Sequence, residues 1–255
     1  MKKKLIIAGI IIVLLITGVI LYSHFVGTKG LIIKEQKIVN KKLPESFNGF
    51  KIVHFSDLHY GSTIGEKELK KIVKEINKYH PDIVVFTGDL ISDKKIKTEK
   101  VIGELNKINA SSGIYYVSGK NDNDKTSMIL NKTSFINIDN TSKLIYYKGS
   151  IPINIIGYGK EVKNDSDYFS ILLTHNPDNH QKINNDLTLA GMTHGNQVNL
   201  PLINKLIDID NSDYDDNYYH YKNHDMYISN GLGTNKYQFR LFSHPSINMY
   251  RLYNN

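Results

Sequence analysis

The stretch Lys51-Ile-Val-His-Phe-Ser-Asp-Leu-His59 and its echo Ile83-Val-Val-Phe-Thr-Gly-Asp89 decide the fold. Each is a short β-branched and aromatic run that closes on a carboxylate, the pattern of a buried strand feeding a loop. Between them Leu69, Ile72, Val73, Ile76 and Tyr79 recur at helical spacing, and His80-Pro81 stops the helix. Strand, helix, strand in that order builds a parallel pair whose two loops leave the same sheet edge. Further strands are predicted over 114–118, 153–157, 171–174, 187–190, 226–229 and 247–252, and a second helix carries Val101, Ile102, Leu105 and Ile108. Early βαβ units followed by a strand-rich second half predict an α/β fold, a four-layer-type sandwich of two mixed β-sheets flanked by helices.

Four clusters end these strands: Ser56-Asp57-Leu58-His59, Gly88-Asp89, Thr174-His175-Asn176-Pro177 and Gly191-Met192-Thr193-His194-Gly195. Carboxylates and imidazoles gathered at one edge can hold a metal ion. Asp and His suit divalent Mn²⁺, Fe²⁺ or Zn²⁺, and an Asp between two ions can bridge them, as two-metal phosphate chemistry requires.

In type and order these clusters resemble the calcineurin-like metallophosphoesterases, within them a membrane-associated bacterial branch. Its series D-x-H, G-D, G-N-H-D/E, a lone His and G-H-T-H-G-G-Q is matched by Asp57-Leu58-His59, Gly88-Asp89, Gly119-Lys120-Asn121-Asp122, His175 and Gly191-Met192-Thr193-His194-Gly195-Asn196-Gln197. Tyr227-Ile-Ser-Asn-Gly-Leu-Gly-Thr234, followed by Arg240 and Pro245, resembles the branch's C-terminal signature, so the likeness runs from about Ile32 to Leu252. The resemblance implies a first metal on Asp57, His59, Asp89 and His194, all present. It implies a second metal on Asp89, His175 and the positions of Lys120 and Met192, and a general acid at the position of Asn121. An ammonium repels a cation, a thioether is a poor ligand for Mn²⁺ or Fe²⁺, and a carboxamide does not transfer protons near neutral pH. The three departures fall on one half of the site, so one ion is expected rather than two. Two readings of Lys120 stay open: its ammonium takes the second ion's place, or it extends to solvent. A shift of one residue, with Asn121 as ligand and Asp122 at the acid position, is the lesser alternative.

Residues 5–22 form an uncharged apolar run behind Lys2-Lys3-Lys4, long enough with its flank to cross a bilayer. The length of the run and the lack of a small-residue cleavage site favour an uncleaved anchor (1–28) over a signal peptide. The N-terminal lysines then place this end in the cytoplasm and the domain at 29–255 outside the cell membrane. Cys is absent, which excludes disulfides and thiolate metal sites. The net charge of +7 does not read as nucleic-acid binding, because the lysines are scattered along the chain. The acidic run 208–216 lacks the Gly and final Glu of a calcium loop and reads as a solvated loop. His54 reads as a packed strand residue, and His80, His180, His220, His224 and His244 as structural or exposed.

The resulting expectation is a membrane-tethered hydrolase, a metallophosphoesterase cleaving a phosphoester, phosphodiester or pyrophosphate bond of a phosphorylated small molecule or lipid-linked substrate. His175 and Lys120 are expected to neutralise the phosphate, with His175 as acid in place of Asn121. The rival is a catalytically impaired relative that binds phosphate-bearing envelope ligands or a partner protein.

Overall fold

A computed structural model of the chain describes residues 1–92, 95–159, 162–164, 167–198, 214, 216–234 and 237–254. The acidic run at 208–216 falls largely outside them. The first sheet contains β1 (Ile32–Val39), β2 (Phe50–Phe55), β3 (Ile83–Phe86), β4 (Ile114–Tyr116), β5 (Phe135–Asn137) and β12 (Ser246–Tyr253), in the order β1-β12-β2-β3-β4-β5. The second contains β6 (Ser142–Ile145), β7 (Ile153–Gly157), β8 (Ser170–Thr174), β9 (Leu187–Ala190), β10 (Tyr218–His220) and β11 (Asp225–Ile228), in the order β10-β11-β9-β8-β7-β6. Both are mixed: β2, β3, β4 and β5 pair in parallel with β12 antiparallel to β2, while β7, β8, β9 and β11 are parallel with antiparallel edges.

Strand alternation sorts the core into layers. On β2 and β3, Val53, Phe55, Val84 and Phe86 face α2 (Glu66–Lys78), α3 (Thr98–Leu105) and α4 (Asp124–Leu130), while Ile52, Ile83 and Val85 meet Ile153, Ile155, Ile171, Leu173, Leu187 and Leu189 of the other sheet. Helix α2 buries Leu69, Ile72, Val73 and Ile76, one stripe at helical spacing. Each such side chain contributes roughly 1.5–3 kcal/mol on burial, enough to hold the helix to the sheet. Glu68 accepts a hydrogen bond from the Gly65 N–H at the start of α2. At the other end His80 takes φ 48° before Pro81, so the chain leaves the helix where the sequence stops it.

Helix α1 (Lys2–Phe25) is exposed along its length except at Ser23, and it is long and apolar enough to cross a membrane. Its last turn meets the body of the protein: Ser23 O accepts from the Arg240 N–H and His24 Nδ1 lies 2.6 Å from Gln238 O.

Candidate metal centre

The predicted ligands come together from both sheets. Asp57 and His59 follow β2, Asp89 follows β3, His175 directly follows β8, and His194 lies beyond β9. These are the C-terminal ends of parallel strands, where successive loops open onto one crevice. All five side chains are buried. Asp57, His59, Asp89, Met192 and His194 have φ between 42° and 73°, a left-handed backbone unusual for residues with a Cβ. That conformation bends each loop sharply back over the strand ends, at an energetic cost carried by the surrounding core.

Two groups of potential ligands share Asp57: Asp57, His59 and His194 form one, and Asp57, Asp89 and His175 the other. In the first, the Nε2 atoms of His59 and His194 face each other at 3.3 Å and His194 Nε2 is 3.5 Å from Asp57 Oδ1. Asp89 Oδ2, in the second group, lies 3.5 Å from His175 Nε2 and 3.6 Å from His59 Nε2 of the first, so it reaches both. Donors about 2.1 Å from a common tetrahedral ion are about 3.4 Å apart, which is the spacing found here. Asp57 Oδ1 is buried without a hydrogen-bond partner, an arrangement costly for a carboxylate and relieved by a cation. The donor set therefore fits a divalent metal.

Outer contacts aim the ligands. Ser92 Oγ lies 2.9 Å from His59 Nδ1, and Thr87 O accepts from His175 Nδ1–H at 2.8 Å, so that each Nε2 faces inward. Ser56 Oγ and the Met192 N–H both donate to Asp57 Oδ2. Burial pushes the pKa of His59 down and that of His194 well down, holding both imidazoles in the neutral form that binds metal. Burial also raises Asp57. At His175 burial opposes protonation, but the nearby Asp57 and Asp89 carboxylates outweigh it and its pKa is raised.

The segment Gly119-Lys120-Asn121-Asp122 supports Asp89 rather than an ion directly. Asp122 accepts from the N–H groups of Asp89, Leu90 and Gly119 at 2.7–2.9 Å and so ties the two loops. Asn121 grips both oxygens of Asp89, its backbone N–H on Oδ1 at 2.8 Å and its carboxamide Nδ2 on Oδ2 at 2.6 Å. No space remains for larger residues at the glycines: a Cβ on Gly88 would lie 2.4 Å from Gly119 N, and one on Gly119 only 2.3 Å from Asp89 Oδ1. Lys120 is exposed. It lines, with Tyr158, His175, Asn176, Asp178 and Met192, a cleft of about 540 Å³ beside the ligands. Asn196, at φ 58°, has the left-handed backbone that its place in the motif suggests.

Sequence reasoning assigned no task to Arg240, which proves central. Its fully buried guanidinium donates to the carbonyls of His194 (3.0 Å), Asn230 (2.8 Å), Gly231 (3.3 Å), Gly233 (2.7 Å) and Ser243 (3.3 Å), clamping the His194 loop to the C-terminal segment. Scarcity was the available signal, since the chain has 32 Lys and Arg together and only Arg240 and Arg251 are arginines. A planar fork that spans several carbonyls cannot be replaced by lysine.

The family model for calcineurin-like phosphoesterases matches residues 50–253. The metallophosphoesterase YkuE of Bacillus subtilis (strain 168) is 28% identical over 253 residues, covering 91% of this chain and 88% of that protein. The UDP-2,3-diacylglucosamine pyrophosphatase LpxG of Chlamydia trachomatis serovar D is 26% identical over 292 residues, covering 84% of this chain and 87% of that protein. A transmembrane protein with a metallophosphoesterase domain from Danio rerio is 32% identical over 113 residues, 44% of this chain and 26% of that protein.

Proposed function

The chain belongs to the calcineurin-like phosphoesterases, and on that premise we propose that it is a membrane-tethered, metal-dependent phosphoesterase acting on a phosphorylated small molecule or lipid-linked substrate. The observation that carries this reading is the pair of buried carboxylate and imidazole groups sharing Asp57 beside an open cleft. A divalent ion there supplies Lewis acidity and stabilises charge developing on the phosphoryl oxygens. Asp57, His59, Asp89 and His194 would hold one ion, and Mn²⁺, Fe²⁺ and Zn²⁺ all suit that donor set.

The protein's own groups do the rest. Lys120 on the cleft wall brings a positive charge to the phosphate oxygens. His175, whose Nε2 lies 3.5 Å from Asp89 Oδ2 on the cleft wall, would pass a proton to the leaving oxygen where it does not itself serve as a ligand. Asn121 holds Asp89 in place and contributes no proton. Helix α1 would anchor the protein with its N-terminus in the cytoplasm and the domain at 29–255 outside, near lipid-linked phosphates. The pyrophosphatase activity named for the LpxG relative supports a phosphoanhydride as one substrate class.

The second reading, a non-catalytic phosphate binder, is favoured by Asn121 and Met192 standing where a donor and an imidazole are expected from the family resemblance. Manganese-dependent hydrolysis of a chromogenic phosphodiester by the full chain separates the two. Turnover that disappears in Asp89→Ala supports the enzyme. Turnover only after Lys120→Asn, Asn121→His and Met192→His are combined supports the binder.

A further inference from the structure

Next to the end of α1 the protein displays an aromatic shelf. Tyr237 is 45% exposed and Phe242 65% exposed, with Tyr22, Phe25 and Val26 of the anchor also open to solvent. Phe242 sits at φ 57°, a conformation that a bulky side chain seldom takes, and it turns its ring outward while its neighbours Arg240 and Ser243 are buried. Isolated exposed aromatics are ordinary; a set continuous with an apolar spanning helix is not.

The shelf is fixed to the helix. Ser23 O accepts from Arg240 N–H at 3.0 Å, His24 Nδ1 lies 2.6 Å from Gln238 O, and Thr28 Oγ1 donates back to His24 O. Gly27 lies so close that a Cβ there would be 1.9 Å from Arg240 O. Lys29, exposed and immediately beyond this junction, supplies a cation at the level where an anionic headgroup would lie.

We propose that the segment 237–242 lies in the interfacial layer of the bilayer that holds α1, with Tyr237 and Phe242 inserted at headgroup level. Tyr, with an apolar ring and a polar hydroxyl, favours that layer, Phe supplies an apolar ring that enters just beneath it, and a shallow insertion of roughly 5–10 Å is what such a patch allows. The occupant is lipid, because the patch continues the surface of a helix that is apolar all round. The same segment carries Arg240, whose guanidinium holds the carbonyls of His194 and of residues 230–233. Bilayer contact and metal-ligand loop are thus one mechanical unit. A substrate whose phosphate lies at the membrane surface meets the centre without leaving the lipid layer. The proposal rests on the reading of α1 as a membrane anchor.

The chain contains no Trp, so single substitutions act as local fluorescent reporters. Phe242→Trp and Tyr237→Trp test the shelf, Tyr22→Trp tests the anchor, and Tyr146→Trp is the soluble reference. Tyr146 is 58% exposed and follows Ile145, which pairs with Ile153 at the start of β7, the sheet edge opposite the metal ligands. The full chain is reconstituted in vesicles whose lipids carry bromine near the top of the acyl chains. Expected is a blue-shifted emission that loses roughly half its intensity for the reporters at 22, 237 and 242, at the shallow depth of an interfacial segment, and none for the one at 146. Quenching at 22 with solvent-like emission at both 237 and 242 overturns the proposal and leaves the anchor intact; the shelf would then suit a protein partner. No quenching at 22 overturns the anchor and the proposal together.

Discussion

Replacing Arg240 by Met keeps most of the side-chain volume and removes the guanidinium, a perturbation whose size follows from its contacts. Three carbonyls, of His194, Asn230 and Gly233, accept at 2.7–3.0 Å, and two more at 3.3 Å. A hydrogen bond from a charged donor contributes roughly 1.5–3 kcal/mol, so the three short ones together contribute roughly 4.5–9 kcal/mol. Part is returned because the variant no longer buries a charge; three carbonyls left without a donor at roughly 1–3 kcal/mol each, reduced by relaxation, leave a net loss of about 3–5 kcal/mol. In a domain of this size each kcal/mol moves Tm by about 2–4 °C, so the midpoint should fall by roughly 6–20 °C. Arg240→Lys keeps the charge but reaches few of the carbonyls, and should recover less than about half of the loss. Thermal unfolding of the full chain in detergent, followed by circular dichroism, measures both variants. A loss below about 1 kcal/mol for Arg240→Met, or full recovery with Lys, would refute the clamp.

Acid should weaken the fold through His54, whose Nε2 meets Thr87 Oγ1 at 2.9 Å and whose pKa burial lowers to about 3. Its folded pKa lies below the unfolded value of 6.5, so the unfolded chain binds the proton first and stability drops as pH falls below 6.5. Between pH 7.5 and 5.5 this amounts to about 1 kcal/mol, seen as the difference between wild type and His54→Gln in chelator-treated protein; equal pH slopes would contradict it. Gly119→Ala drives a Cβ to 2.3 Å from Asp89 Oδ1 and should weaken manganese binding at least about tenfold in equilibrium dialysis. Asp122→Ala frees the three N–H groups that it caps and should lower metal affinity by a similar factor of roughly 10–100, while unchanged affinity would mean that the loops hold without it. Lys120→Ala should raise KM for a phosphodiester and leave the bound metal per chain unchanged, as its exposed position requires; an additional ion in that variant would show that the ammonium had displaced one.

The central strands and the clustering of the candidate ligands were legible in the sequence for the same reason. A strand buried on both faces is a largely apolar run, and an Asp or His past its end is conspicuous against it, as at Asp57, Asp89, His175 and His194. Edge strands β1, β5, β6 and β10 lack that contrast: β1 reads Ile-Ile-Lys-Glu-Gln-Lys-Ile-Val and is half exposed, and its pairing with β12 comes from the far end of the chain. Helix α4 escaped because seven residues give too few turns for a periodic pattern, although Asn123 caps it by accepting from Lys125 N–H. The site's inner logic was less visible. Periodicity says nothing about the left-handed turns at Asp57, His59 and His194, and a motif comparison that makes Asn121 a failed acid does not reveal that its amide holds Asp89. Only the three-dimensional arrangement shows that Arg240 joins helix α1, the C-terminal segment and the His194 loop.

Metal content is the most direct test of the account, because Asp57 belongs to both ligand groups. Full-length protein equilibrated with Mn²⁺ and freed of excess ion should retain at least one manganese per chain by mass spectrometry, and Asp57→Ala should retain none. Metal-free wild type, or an Asp57→Ala variant that binds as much as wild type, would contradict the assignment of this cluster as the metal centre.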